Sequence, residues 1–165
     1  LLTVPPQSSV VDQVSNREKR MTKTVEKSVE IGVSEISFIK TSRTIRKKIN
    51  IDRIKKIALS AMKQSGQFFL PIINNLDSFK SVVSKLSEKQ LFIGHLESDD
   101  KQYISKIYDK NKDCCLMIGP EGDFSIDEID LAKKNNFKPI SLGDNRLRTE
   151  TAGIYAVSVI RILNE

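Results

Sequence analysis

Hydrophobic residues recur along the chain at two spacings, one typical of helices and one typical of strands. In segments 15–31 and 51–65 they return every three or four residues, which predicts amphipathic helices. Segments 36–39 and 68–73 are short apolar runs, which predict strands. Pro71 interrupts the second run and favours a place near the edge of a sheet. The other predicted elements of the first half are a β-prone run at 1–4 and a helix at 76–86.

The second half repeats an order of strand, loop and helix. Apolar runs predict three strands, at 90–94, 113–118 and 139–142. Ser125 and Glu128 form the sequence pattern of a capping box, which begins a helix that extends to about residue 135. Residues 149–163 predict a closing helix. Strands that alternate with helices are typical of a mostly parallel sheet flanked by helices, so the predicted fold class is α/β.

The predicted closing helix is apolar on more than one side. Its apolar residues are Ala152, Tyr155, Ala156, Val159, Ile160 and Leu163 on one face, and Ile154, Val157 and Ile162 beyond it. Such a helix is either sandwiched within its own fold or buried against a partner. The interpretation that we favour is a homodimer through this helix.

Composition narrows the classes of protein that the chain can belong to. Its 165 residues are enough for one domain, and its longest apolar stretches, of about five residues, are far shorter than a membrane span. Two adjacent cysteines, Cys114 and Cys115, together with one histidine, do not make a zinc site. We therefore expect a cytoplasmic domain without metal or membrane segment. The start at Leu1 has no signal-peptide pattern. It also lacks an initiator methionine, so we expect the chain to be part of a longer protein.

Positive charge is concentrated in the first third of the chain. Residues 17–63 hold 14 basic and 5 acidic residues, whereas residues 64–165 hold 13 basic and 15 acidic ones. A local basic surface is the usual sign of a polyanionic partner such as nucleic acid. A lysine-rich surface that only contacts solvent gives the same pattern.

Three loops after predicted strands are candidates for a ligand site. They are 95–97, 119–122 and 142–144, and the last two contain glycine. Ligands of parallel sheets bind beyond the carboxyl ends of the strands, and glycine lets the main chain approach a ligand closely. The chain lacks the glycine patterns that bind dinucleotides or triphosphates, so we expect a ligand without pyrophosphate. Taken singly, each loop could also be an ordinary turn.

Two motifs in the second half resemble the paired signature of the RsmE family. They are IGPEGDFS at 118–125 and SLGDNRLRTETA at 141–152. Two upstream segments are similar to the same family, Arg20-Met21 followed by EKSVEIGV, and AMKQSG followed by Leu70-Pro71. The resemblance covers about residues 17–163. Asp123, where the family has glycine, Gln67, where many relatives have arginine, and residues 144–146 depart from it.

The resemblance implies a fold and a reaction. RsmE proteins are S-adenosylmethionine-dependent methyltransferases that act on N3 of a uridine in 16S ribosomal RNA. They belong to the SPOUT superfamily, whose carboxyl-terminal half forms a deep trefoil knot, here expected at about residues 90–165 of a SPOUT domain that spans 1–165. The family's amino-terminal PUA-like RNA-binding domain is expected to be absent from this chain. A non-catalytic RNA-binding module and an RNA 2′-O-methyltransferase are the alternative functions.

The resemblance also implies site residues. Those predicted to bind the methyl donor are His95, Ile118, Gly119, Glu121, Gly122, Leu142, Gly143, Leu147 and Thr149. Those predicted to contact small-subunit ribosomal RNA or the 30S subunit are Arg20, Lys23, Lys27, Arg43, Arg46, Lys47 and Lys48.

Uracil N3 must lose its proton before it can accept a methyl group. Glu121 and Glu150 are the candidate carboxylates for this step, and Arg148 is the candidate cation that stabilises the uracil anion or binds a phosphate. The alternative is that Arg148 and Glu150 form an ion pair that braces their own loop.

Overall fold

The protein is built on one parallel sheet. In this computed structural model, the described residues are 8–13, 18–44, 48–86, 90–95, 101–119 and 122–165. The strands are β1 (Ser8–Gln13), β2 (Glu35–Lys40), β3 (Ile72–Ser78), β4 (Gln90–Gly94), β5 (Gln102–Tyr103), β6 (Cys114–Ile118) and β7 (Phe137–Ser141). Their order in the sheet is β3-β2-β1-β6-β4-β7-β5, and each of the six pairings is parallel. The predicted α/β class with a mostly parallel sheet is confirmed.

Helices cover both faces of the sheet. They are α1 (Glu18–Ile31), α2 (Ile51–Gln64), α3 (Phe79–Lys85), α4 (Ile104–Ile107), α5 (Ile126–Lys134) and α6 (Thr149–Leu163). One hydrophobic core joins the sheet to α1, α2, α4 and α6, and a second core joins it to α3 and α5. The domain is therefore a three-layer sandwich of helices, sheet and helices.

Strand β6 lies between the two cores and is buried along its whole length. Cys114, Leu116 and Ile118 belong to the core under α1 and α6, whereas Cys115 and Met117 belong to the other. This alternation follows from the two-residue period of a strand. Both cysteines are buried and neither forms a disulfide bond, in agreement with their predicted place in an apolar strand.

The predicted boundary between the second strand and the third helix is wrong. Phe68 and Phe69 lie before the strand and are 85% and 71% exposed. Strand β3 begins only after Pro71, where the Ile72 amide donates to the Ser34 carbonyl at 2.9 Å. It continues through residues 76–78, which the sequence pattern had assigned to the helix. The predicted position near an edge is confirmed, because β3 is the outermost strand on its side.

The sequence pattern did not predict three elements. Strand β1 lies in the middle of the sheet, and β5 and α4 form a short connection between β4 and β6. The predicted β-prone run at 1–4 lies outside the described residues.

The amino-terminal helix α1 ends at a glycine and is capped by a distant side chain. Gly32 has a φ of +103°, the left-handed region that favours glycine, and its amide donates to the Ser28 and Val29 carbonyls. The side-chain nitrogen Nε2 of Gln67 donates to the carbonyls of Val29 and Glu30 at 2.6 and 2.9 Å. Gln67, one of the departures from the RsmE pattern, therefore satisfies the last turn of α1.

Helices α1 and α6 run side by side in the same direction. Arg20 lies near Glu150, Thr24 packs on Gly153, and Arg161 comes near Gly32. A Cβ at Gly153 would lie 3.3 Å from the Thr24 methyl carbon, so the absence of a side chain allows the close approach. The buried face of α6 includes Gly153, Ala156, Val157 and Ile160. On the predicted apolar surface, Tyr155 and Ile162 are instead 47% and 66% exposed.

Replacement of Gly153 by leucine tests this contact. We expect Gly153→Leu to lower the free energy of unfolding by about 1–3 kcal/mol, because the added side chain must separate the two helices. Urea denaturation measures the effect, and Thr151→Leu at an exposed position of the same helix is the matched control. Equal stability of the two variants would contradict the close packing.

Candidate functional site

The parallel sheet has a cavity of about 330 Å³ at the carboxyl ends of β4, β6 and β7. This edge is the one at which the three candidate loops were expected to meet. The lining residues are Gly94, His95, Lys101, Ile118, Gly119, Asp123, Ile140, Ser141, Leu142, Gly143, Asn145, Arg146, Leu147, Arg148, Thr149 and Ala152. The volume is at the lower end of the range for small-molecule sites.

Main-chain contacts hold the three loops together. The Gly119 amide donates to the Gly94 carbonyl at 3.3 Å, which joins the ends of β6 and β4. The Thr149 hydroxyl donates to the Gly119 carbonyl at 3.1 Å, which joins the start of α6 to the end of β6. Gly143, after β7, has a φ of +119°, and the position that its Cβ would take has no atom within 4 Å. The glycine at this position thus leaves room for a ligand beside the main chain.

Most of the residues predicted to bind the methyl donor line this cavity. They are His95, Ile118, Gly119, Leu142, Gly143, Leu147 and Thr149. Gly122 is not among the lining residues. Its carbonyl accepts a hydrogen bond from the Arg43 guanidinium instead. Glu121 lies outside the described residues.

Asp123 is a lining residue that the sequence analysis did not assign to the site. It is buried, and its carboxylate accepts a hydrogen bond from the Phe124 amide at 2.9 Å. Its φ of +59° lies in the left-handed region, which aspartate adopts more readily than most residues. Aspartate can therefore keep the backbone that suits glycine while adding a carboxylate to the wall. Its place inside a glycine-containing loop was the signal that could have identified it.

Arg148 and Glu150 have different surroundings. Arg148 is exposed and lines the cavity, and no hydrogen bond or ion pair joins its guanidinium to another described residue. Glu150 is not a lining residue, and its Oε1 lies 3.6 Å from Nε of Arg20. Its Oε2 is buried without a hydrogen-bond partner among the described residues. The alternative of an Arg148–Glu150 ion pair is therefore wrong, because α1 supplies the partner of Glu150.

The residues predicted to contact RNA differ in their surroundings. Lys23 and Lys48 are exposed. Arg20 and Arg43 contact Glu150 and Gly122, and Lys27 lies 3.0 and 2.9 Å from Glu26 and Glu30. Hydrogen bonds to Glu30 and Glu26 raise the pKa of Lys27, so its positive charge is held more firmly. Arg46 and Lys47 lie outside the described residues.

Another contact braces the loop after β7. The Tyr103 hydroxyl donates to the Asp144 carboxylate at 3.1 Å, which links β5 to the segment that carries Gly143. This hydrogen bond, and then the negative charge of Asp144, raise the pKa of Tyr103. The phenol therefore stays a neutral donor well above pH 7.

Two negative findings apply to the described part of the chain. None of its helices is both long and apolar enough to cross a membrane. The same residues contain no cluster of three or more histidine, cysteine, aspartate or glutamate side chains that could hold a metal ion.

Comparison with known families gives the class of protein. The family described as RNA methyltransferase domain matches residues 4–161, which is nearly the whole chain. The chain belongs to this family. The resemblance to RsmE proteins is also confirmed, because relatives in several bacteria carry the name ribosomal RNA small subunit methyltransferase E.

The similarity extends to curated and solved proteins. The methyltransferase E of Rickettsia conorii is 30% identical over 150 residues, which are 89% of this chain and 61% of the relative. The chain thus spans about three fifths of that protein. The "probable rRNA-methyltransferase" of Porphyromonas gingivalis superposes with a TM-score of 0.90 at 35% identity, over 97% of this chain and 68% of the other.

A third relative was solved with a ligand. The methyltransferase E of Neisseria gonorrhoeae, bound to S-adenosyl methionine, has a TM-score of 0.88 at 26% identity. The match covers 96% of this chain and 67% of that one.

The two glycines of the loop after β6 give a matched pair of variants. A Cβ at Gly119 would lie 3.1 Å from both Oδ1 of Asp123 and the ring of Phe124, whereas one at Gly122 would be at least 3.6 Å from its neighbours. We expect Gly119→Ala to lower the free energy of unfolding by about 1–3 kcal/mol, because the loop must shift. Gly122→Ala, the control, should change it much less. Urea denaturation compares them, and equal effects would contradict the packing around Gly119.

Proposed function

We propose that the chain is the catalytic domain of an S-adenosylmethionine-dependent methyltransferase that acts on N3 of a uridine in small-subunit ribosomal RNA, in the cytoplasm. The observation that carries the proposal is the cavity at the carboxyl ends of β4, β6 and β7, which contains most of the predicted donor-binding residues. The name of the relatives and the ligand of the Neisseria protein support it.

The described residues fit such a donor. The cavity combines apolar walls from Ile118, Leu142 and Leu147 with main-chain groups at Gly119 and Gly143, a mixture that suits an adenine and a ribose. When bound, S-adenosylmethionine supplies a methyl group carried on a positively charged sulfur. The chain's part is to orient the uracil nitrogen towards that methyl group, and orientation of this kind provides a large part of catalysis.

A carboxylate of the chain would accept the N3 proton of uracil. Glu121 is the residue that we propose for this role, since it belongs to the loop between Gly119 and Gly122. Glu150 is less suitable because it lies away from the cavity lining and beside Arg20. Asp123 offers a further carboxylate in the wall, but its Oδ1 already accepts the Phe124 amide.

Arg148 is the proposed electrostatic partner of the uracil anion. Its exposed side chain at the start of α6 borders the cavity and has no described partner that would compete for it. A guanidinium in this position can donate to a uracil oxygen as negative charge develops there. Lys23 and Lys48 are the exposed cations that we propose as phosphate contacts, which position RNA without reading its sequence.

A trefoil knot in residues 90–165 is part of the proposal. Strand β7 pairs with β4 on the side away from β6, yet the first residue of α6, Thr149, contacts Gly119 at the end of β6, and α6 packs on α1. The segment 142–148 must therefore return across the ends of β4 and β6. This return supports a threaded connection of the kind found in SPOUT proteins.

Donor binding is the first test of the function. Isothermal titration of S-adenosylmethionine into the chain should give a saturable signal, because the cavity already has its walls in place. Absence of detectable binding at millimolar donor would contradict the proposal.

Loss of N3-methyluridine in cells that lack the full-length gene, measured by mass spectrometry of ribosomal RNA, separates the enzyme from a non-catalytic RNA-binding module.

Arg148→Ala tests the catalytic arrangement. We expect donor affinity to stay within about twofold while the rate of methyl transfer falls about 100-fold, the size of effect seen when one preorganised donor is removed. The assay is methylation of 30S subunits by the full-length protein, with donor titration on the same variant. A normal rate would refute the role of Arg148.

A homodimer through α6 is also proposed. Tyr155 and Ile162, two turns apart, are exposed on the outer side of the helix, and apolar side chains in such a row favour burial against a second copy. Ile162→Glu should convert the dimer to a monomer, because a charge buried in the interface is costly. Light scattering at micromolar concentration measures the mass. A monomeric mass for the unsubstituted chain would contradict the dimer.

A further inference from the structure

The turn after β2 contacts the loop after β6 that lines the cavity, although another strand lies between β2 and β6. In the sheet, β1 separates β2 from β6. Nevertheless residues 41–44 reach the start of α5 and the loop 119–125, through contacts 79 and 86 residues apart in sequence. Pairing of the strands does not require these contacts between the turn and the loop.

Hydrogen bonds within the turn make it rigid. The Thr41 amide donates to the Thr44 hydroxyl at 3.0 Å, and the Thr44 amide donates to the Thr41 carbonyl at 3.1 Å. The two threonine hydroxyls lie 2.8 Å apart, and Thr41 is buried. Ser42 and Arg43, between them, are therefore presented in fixed positions.

Ser42 attaches the turn to a carboxylate that already caps a helix. Its amide and hydroxyl donate to the two oxygens of Glu128, at 2.7 and 3.2 Å. The same carboxylate accepts the Ser125 amide at 2.9 Å in the capping box of α5. One ionised group thus joins the turn to the first turn of the helix that follows the loop.

Arg43 attaches the turn to the loop itself. Its guanidinium donates to the Gly122 carbonyl, and its aliphatic carbons lie 3.6 and 3.8 Å from the position of a Cβ on Gly122. Gly122 directly precedes Asp123, which lines the cavity together with Gly119. Arg43 consequently holds the outer side of the loop, whose inner side forms part of the cavity wall.

We infer that Ser42 and Arg43 are positioning residues for the donor-binding loop. The inference rests on the proposed function, since the ligand of the cavity is taken to be S-adenosylmethionine. Arg43 was predicted to contact RNA phosphate. In the structure its guanidinium donates to the carbonyl of Gly122, and without this contact the loop would sample conformations in which Asp123 no longer forms part of the wall. The apparent affinity for the donor is proportional to the fraction of time that the loop spends in its binding conformation. A loop that leaves this conformation more often therefore binds the donor more weakly.

Three variants and a control test the inference. We expect Arg43→Ala to weaken S-adenosylmethionine binding by roughly 5- to 20-fold, the effect of losing one charged hydrogen bond, with a smaller loss for Ser42→Ala, which keeps the amide contact to Glu128. Arg43→Lys, which retains a charged donor, should recover part of the affinity. Lys55→Ala, which removes one exposed positive charge from α2, is the control and should bind like the unsubstituted chain.

Two readouts distinguish positioning from a general loss of stability. Hydrogen exchange of the peptide that contains residues 119–125, measured without ligand, should be faster in Arg43→Ala, while the peptide of β1 or β4 exchanges at an unchanged rate. In the full-length enzyme, KM for the donor should rise with kcat little changed, because Arg43 does not touch the reacting atoms.

The outcomes separate failure of the inference from failure of the function. If the unsubstituted chain does not bind S-adenosylmethionine, the proposed function is wrong, while faster exchange of 119–125 would still support the positioning role. If the unsubstituted chain binds and Arg43→Ala binds equally well with unchanged exchange, the inference is overturned and the function stands. A fall in kcat at unchanged KM would also overturn it.

Discussion

Parallel pairing is the constraint on which this structure depends. Because each described pairing runs in one direction, the chain leaves β4, β6 and β7 at the same edge of the sheet. Three loops that are far apart in sequence are thereby brought around one cavity, and two contacts, from Gly119 to Gly94 and from Thr149 to Gly119, fix them to one another. The site is made of the ends of the scaffold, and the glycines at these ends, Gly94, Gly119 and Gly143, add main chain to its wall.

Periodicity predicted the elements whose own residues carry the signal. The helix at 149–163 and the strand at 90–94 have the same bounds in the structure, because each has a buried face whose apolar residues gave the signal. Strand β1, with the sequence SSVVDQ, has too few apolar residues for such a signal and exists through its pairing with β2 and β6. Residues 68–70 gave the opposite error, since an apolar run was taken for a strand although its side chains are exposed. The local pattern of apolar residues does not show which strand a segment pairs with.

The same difference separates the site residues that sequence could predict from those that it could not. Glycine-containing motifs identified the cavity wall, because the requirement for glycine is local to the loop. The partners of charged side chains are set by the tertiary fold. The ion pair weighed for Glu150 from sequence was therefore with Arg148, two residues away, whereas the structure pairs it with Arg20 across the α1–α6 contact. Arg43 likewise lies among basic residues in the sequence, and nothing near it in the sequence indicates its contact with a carbonyl 79 residues away.

The contact between α1 and α6 has a consequence for the making of the protein. The ribosome synthesises α1 before α6, so Met21, Val25 and Val29 cannot acquire their complete cover until α6 has been translated. Until then the amphipathic helix α1 has an incompletely covered apolar face, a state in which nascent chains are prone to aggregate. The opposite side of α1 carries Lys19, Lys23 and Lys27, and these charged side chains keep the helix hydrated in the nascent chain.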